Sequence, residues 1–172
     1  VFLLQRKGDD KVRYTFQRDI DGIQVELTLW DYLPEKWDDF DVHWCKCNFS
    51  FRSDHWLDYH RENEEIILRC EVTQLEELLT QLLDHQITES FEYELIEPDF
   101  SFFFYSSRDA QKNIPTDFLL EWRVHFWEDG MTANYLTVTL GDDAITALRD
   151  YFREIIRSVP SPENARKKEA SP

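Results

Sequence analysis

Residues 118–126 read Phe-Leu-Leu-Glu-Trp-Arg-Val-His-Phe. Phe118, Leu120, Trp122, Val124 and Phe126 occupy every second position, and Glu121, Arg123 and His125 fall between them. Successive side chains of an extended chain point to opposite faces, so the spacing predicts a strand with one apolar and one charged face. A half-buried strand of this kind belongs to an antiparallel sheet. Working outward, Glu128-Asp129-Gly130 supplies a turn, and Leu136, Val138 and Leu140 resume the alternation. Upstream, Phe100, Phe102 and Phe104 share a face, as do Phe91, Tyr93 and Leu95. Glu97-Pro98 between these runs predicts a bulge or bend that resets the register.

The same period opens the chain. Val12, Tyr14 and Phe16 alternate, then Ile23, Val25, Leu27 and Leu29, around Asp19-Ile20-Asp21-Gly22, which predicts a hairpin. Leu33-Pro34-Glu35 breaks the pairing. A third strand is expected near Val42 to Phe51, with Cys45, Cys47, Phe49 and Phe51 on one face. Asp54 to Asn63 reads as a polar loop holding Trp56 and Tyr59, and Ile66, Leu68 and Cys70 as another strand. Two segments change period. Leu75, Leu78, Leu79, Leu82 and Leu83 predict a helix from a Thr73–Glu76 capping box to about Asp84. Ile145, Leu148, Phe152, Ile155 and Ile156 predict a closing helix from about Asp142 to Arg157, stopped by Pro160 and Pro162. Strands and helices are segregated, so the expected class is α+β: an antiparallel sheet, sandwich-like or strongly curved, packed by a central and a C-terminal helix. Residues 1–160 read as one domain and 161–172 as a disordered tail without an apolar face.

At 172 residues, 42% hydrophobic and 15% aromatic, the chain can bury a core without disulfide or metal, and a disordered class is excluded. Its charge points outward. The 19 Lys and Arg face 35 Asp and Glu, for a net charge of −16. In Ser161–Pro172, Arg166, Lys167 and Lys168 outnumber Glu163 and Glu169 by one, so the rest of the chain carries −17. Such a surface repels nucleic acid and anionic lipid and speeds encounter with basic proteins. Three cysteines form no secreted framework. No apolar run approaches the ~18 residues of a membrane span, and no signal segment opens the sequence, which begins at Val1. The expectation is a cytoplasmic protein, monomeric or weakly dimeric, with no cofactor and neither nucleic acid nor membrane as partner.

Three clusters offer chemistry. His43, Cys45 and Cys47 share one strand face, with Cys70 as a fourth zinc-ligand candidate, but no CxxC knuckle is present. Cys45 and Cys47 read more simply as small hydrophobes extending the Phe49 and Phe51 face. Glu121, Arg123 and His125, with Trp127 beside them, hold a carboxylate, guanidinium and imidazole in one row, an acid–base alternative whose plain reading is the polar side of a sheet. Glu97 and Asp99 flank Pro98 as a possible carboxylate pair. No GxSxG, HExxH, Walker or GxGxxG pattern occurs, and the expectation is a non-enzyme. Trp37-Asp38-Asp39-Phe40-Asp41 differs from these, because aromatics alternate with carboxylates. That is the composition of a hot spot for a basic partner, so Trp37, Asp38, Asp39 and Asp41 are the candidate partner-binding residues.

Three stretches resemble the WapI-type immunity proteins, which protect bacteria from their own cell-wall-associated polymorphic toxins. They are Asp39-Phe40-Asp41-Val42-His43-Trp44, the Leu-rich segment from Glu71-Val72 to Leu83, and Tyr93-Glu94-Leu95-Ile96-Glu97-Pro98-Asp99-Phe100-Ser101-Phe102. The likeness spans roughly residues 20 to 158, and the N-terminal hairpin has no counterpart in the family. The resemblance implies a non-catalytic protein that binds and blocks a basic toxin, a nuclease domain. It carries over no residue-level map of toxin contacts.

Overall fold

The computed structural model describes residues 3–5, 12–32, 43–106, 119–126 and 134–158. The class is α+β, with two antiparallel sheets and two helices among the described residues. The first sheet is a meander of β1 (Leu3–Gln5), β2 (Arg13–Ile20), β3 (Ile23–Trp30), β4 (Trp44–Ser53) and β5 (Leu57–Leu68), each paired with its neighbour in sequence. Helix α1 (Arg69–Leu83) follows. The second sheet is another meander of β6 (Phe91–Glu94), β7 (Phe100–Phe104), β8 (Leu120–His125) and β9 (Tyr135–Leu140), and helix α2 (Asp142–Ser158) closes the fold.

The β2–β3 hairpin forms as its sequence dictates. Asp21 and Gly22 take φ of 50° and 80°, the two left-handed positions of a type I′ turn, which gives the twist that antiparallel strands need. The Gly22 N–H donates to Asp19 Oδ1 at 3.0 Å. Inward positions of both sheets then meet in one aromatic core. The Phe49 and Phe100 rings lie 4.8 Å apart, and Trp122 stands edge-on to Phe51 at 5.3 Å and to Phe100 at 5.2 Å. Leu120, Trp122 and Val124 are buried and Phe126 is half-buried against them, as the alternation requires. Phe118 lies outside the described residues.

Helix α2 buries Ile145, Leu148, Tyr151, Phe152 and Ile155, and its Tyr151 hydroxyl donates to the Tyr14 carbonyl oxygen at 3.2 Å. The helices are tied to each other by Arg153, whose Nε donates to Glu76 at 2.7 Å.

Three expectations are corrected. Residues 54–63 are not a loop: a three-residue turn at 54–56 leads into β5. Cys70 belongs to α1 rather than a strand, and the helix begins at Arg69, not Thr73. Its first turn is capped from inside, where Glu71 Oε2 accepts the Leu68 N–H at 2.7 Å. The Glu97-Pro98 stretch does bend, as part of a chain reversal joining β6 to β7 with Glu94 opposite Ser101. Finally, Leu3–Gln5 pairs with β2, a strand the alternation did not predict. The break expected at 33–35, the turn at 128–130 and the tail at 161–172 lie outside the described residues.

Candidate partner-binding surface

The sequence-predicted sites separate once folded. Trp37, Asp38, Asp39 and Asp41 lie outside the described residues. Cys45 and Cys47 are buried among the core side chains of β4, Cys70 is exposed on α1, and all three are free. Burial pushes both the Cys45 and Cys47 thiols up to about 12. A metal needs thiolates, so this environment opposes ligation. Among the described residues, no group of three or more His, Cys, Asp or Glu is arranged to hold a metal ion.

Glu121 and Arg123 do meet on the outer face of the second sheet. Arg123 Nη2 reaches Glu121 at 2.7 Å and Nη1 reaches Glu92 at 2.8 Å. The Tyr105 hydroxyl also donates to Glu121, and Ser101 Oγ donates to Glu92 at 2.8 Å. The guanidinium lies over the Phe103 ring at 5.0 Å and near the Tyr135 ring at 5.6 Å. A carboxylate already accepting from a guanidinium and a phenol is a poor proton acceptor for a substrate. The His125 ring lies 5.5 Å from the same Tyr135 ring.

The Glu97 and Asp99 pair also divides: Glu97 is exposed and Asp99 is buried. Burial raises the Asp99 carboxyl, and Arg61 and His125 partly oppose the rise. The backbone carbonyl of Asp99 accepts the His125 N–H at 2.9 Å. The fold thus brings Asp99 and His125 together from two clusters that are separate in sequence.

The remaining charge is organised differently. Lys46 pairs with Glu65, Arg52 with Asp58, Arg61 with Glu64, Arg149 with Asp150, and Arg153 with Glu76. With Arg123 also engaged, these cations are neutralised locally, and the acidic excess is left to face solvent.

One end of the first sheet collects much of that excess. Gln24 stands opposite Arg52, so the β2–β3 and β4–β5 turns emerge from the same edge. They are two strand spacings apart, roughly 10 Å. The first turn carries Asp21, with Asp19 at the end of β2, and the second carries Asp54; Asp58, just beyond it, is the partner of Arg52. Asp142 and Asp143 open α2 beside the first turn, where the helix macrodipole favours negative charge. An open cavity of about 440 Å³ lies between them, lined by Asp19, Asp21, Asp142, Asp143, Thr139 and Gly141 among others. Within the β4–β5 turn, Trp56 is 66% exposed, whereas Trp30 and Trp122 are buried.

Sequence reasoning placed Trp56 inside a loop and gave it no role. The missed signal was a resumption of alternation at Leu57 and Tyr59, which would have left Asp54-His55-Trp56 as a turn.

Comparison of the chain with protein-family models, curated proteins and solved structures finds no match.

Proposed function

We propose that this chain is a non-catalytic, acidic protein-binding module, an immunity protein that binds and neutralises a basic nuclease domain of a polymorphic toxin in the cytoplasm. The observation that carries the reading is the disposition of charge. Six cations of the described residues are held in local ion pairs, while carboxylates collect at one end of the first sheet. A nuclease needs a basic groove for its substrate, and an acidic inhibitor has the complementary potential. Resemblance to the WapI-type immunity proteins supports the same reading, as does the Trp37, Asp38, Asp39, Asp41 segment by its composition. Among the described residues no helix is long and apolar enough to cross a membrane.

The test is co-expression with the toxin domain encoded beside this chain. Protection of the host is expected, with association that slows steeply as salt shortens the Debye length to ~8 Å. Replacing Asp38, Asp39 and Asp41 together by Asn is expected to lower the association rate, and Trp37→Ala to speed dissociation. A neighbouring gene of metabolic function, with no basic protein captured, would overturn the reading.

An acid–base enzyme is the second reading, favoured by the Asp99 carboxyl, which burial raises and the neighbouring His125 partly lowers. Their backbones are hydrogen-bonded at 2.9 Å. It expects catalysis that His125→Ala abolishes without loss of fold.

A further inference from the structure

We infer that Trp56 is the anchor of a docking surface built to enter a nucleic-acid-binding groove of a basic protein. The inference rests on the partner-binding reading above and adds to it the place of contact and the kind of groove.

Trp56 sits on a turn that has no structural need of it. The neighbouring Leu57 turns inward and is buried, so the indole of Trp56 is held outward at 66% exposure. A lone exposed apolar side chain is ordinary. What distinguishes this one is its frame. Asp54 and Asp58 flank it, and Asp19 and Asp21 stand at the adjacent turn roughly 10 Å away. The cations of this end among the described residues are Arg18 and Arg52, and Arg52 is already held by Asp58 at 3.2 Å. Asp142 and Asp143 lie beside the first turn, and His55 and His60 belong to the second, with His60 Nδ1 3.4 Å from Asp58.

A planar ring among spaced anions presents the two groups by which a single strand of nucleic acid is held: a π-face for stacking, and negative charge for a basic track. A groove that binds phosphates through Lys and Arg, and bases through aromatic side chains, therefore has complementary partners for both features. The carboxylates take the place of phosphates and steer the encounter. The indole takes the place of a base and, once desolvated, slows dissociation. A second copy of this chain is disfavoured as occupant, because two such ends would bring like charges together.

The experiment uses the full chain and two synthetic peptides of equal charge, Arg-Arg-Tyr-Gly-Tyr-Arg-Arg and Arg-Arg-Ser-Gly-Ser-Arg-Arg, titrated at low ionic strength by tryptophan emission and calorimetry. Wild type is expected to bind the tyrosine peptide about tenfold more tightly than the serine peptide. Trp56→Ala should erase that ratio and the accompanying emission shift while leaving the unfolding midpoint unchanged, and Trp56→Tyr should retain most of the ratio. Equal ratios for wild type and Trp56→Ala would overturn the role of Trp56 and leave the acidic-module reading standing. Absence of binding to either peptide would overturn both. A wild-type dimer in sedimentation that Trp56→Ala converts to monomer would assign the ring to self-association and overturn the inference.

Discussion

The buried carboxylate of Glu71 accepts the backbone N–H of Ile96 at 2.7 Å through one oxygen, and that of Leu68 at 2.7 Å through the other. One side chain thus fixes the start of α1 to the reversal between β6 and β7, joining the two meanders. Glu71→Gln replaces one acceptor by an amide donor and sets it against an N–H. The expected cost is about 1–3 kcal/mol in urea unfolding, with a similar loss for Glu71→Ala. A change within about 0.5 kcal/mol, the range of an ordinary surface substitution, would show that the brace carries little.

Stability should fall as pH rises from mildly acidic to neutral. Burial raises the Glu71 and Asp99 carboxyls above their ordinary values of 4.5 and 3.8. Each therefore binds its proton more tightly in the folded chain than in the unfolded one. The resulting stabilisation is complete below the ordinary value and is lost as pH climbs through the raised one. Self-repulsion of a chain at −16 works in the same direction. Asp99 is faced by Arg61, Glu64, Glu97 and His125, and Asp99→Asn should flatten the slope. A urea midpoint that rises between about pH 5 and pH 7 would mean that carboxylates gaining from ion pairs outweigh these two.

Trp122 is the largest side chain of the core, with the rings of Phe16, Phe51, Phe100 and Phe102 around it. Truncation to Ala should cost about 3–5 kcal/mol. Trp122→Phe should cost much less than Ala. It keeps an aromatic ring and removes an indole N–H that is buried with no hydrogen-bond partner among the described residues. Equal losses in the two variants, measured by chemical denaturation, would contradict this.

Thiol labelling should split the cysteines. Cys70 is exposed and should react at once with an aromatic disulfide reagent. Cys45 and Cys47, held up to about 12 by burial, should react only on unfolding. Immediate titration of all three in native buffer would show that β4 is open to solvent.

The parts of the fold legible in the sequence were those with an unbroken period: the β2–β3 hairpin, the β8 row and α2. Strand β5 was hidden because its inward positions, Leu57, Tyr59, Arg61, Glu64 and Ile67, are spaced by two and then by three. Extra residues are accommodated between the Cys45, Cys47 and Phe49 pairings, and Asn63 takes a φ of 58°. Arg61 and Glu64 fall on the inward face and pair with each other at 2.8 Å, so the segment also looks polar. The start of α1 was hidden because its cap is a buried glutamate two residues into the helix, not a Ser, Thr, Asp or Asn before it. Asp99 and His125 were each singled out in the sequence, yet their proximity depends on β7 pairing with β8, which no local pattern encodes.

Every strand ladder among the described residues joins neighbours in sequence, and none crosses from the first meander to the second. A backbone cut after Thr88 would sever no ladder and would leave each piece its entire sheet. The pieces would meet through side chains: the aromatic interface, the Arg153–Glu76 pair, Tyr151 on Tyr14, and Glu71 on Ile96. Held apart, they would be complementary halves whose reassociation obeys mass action. The uncut chain is in effect a heterodimer whose two members are kept together by a short covalent leash.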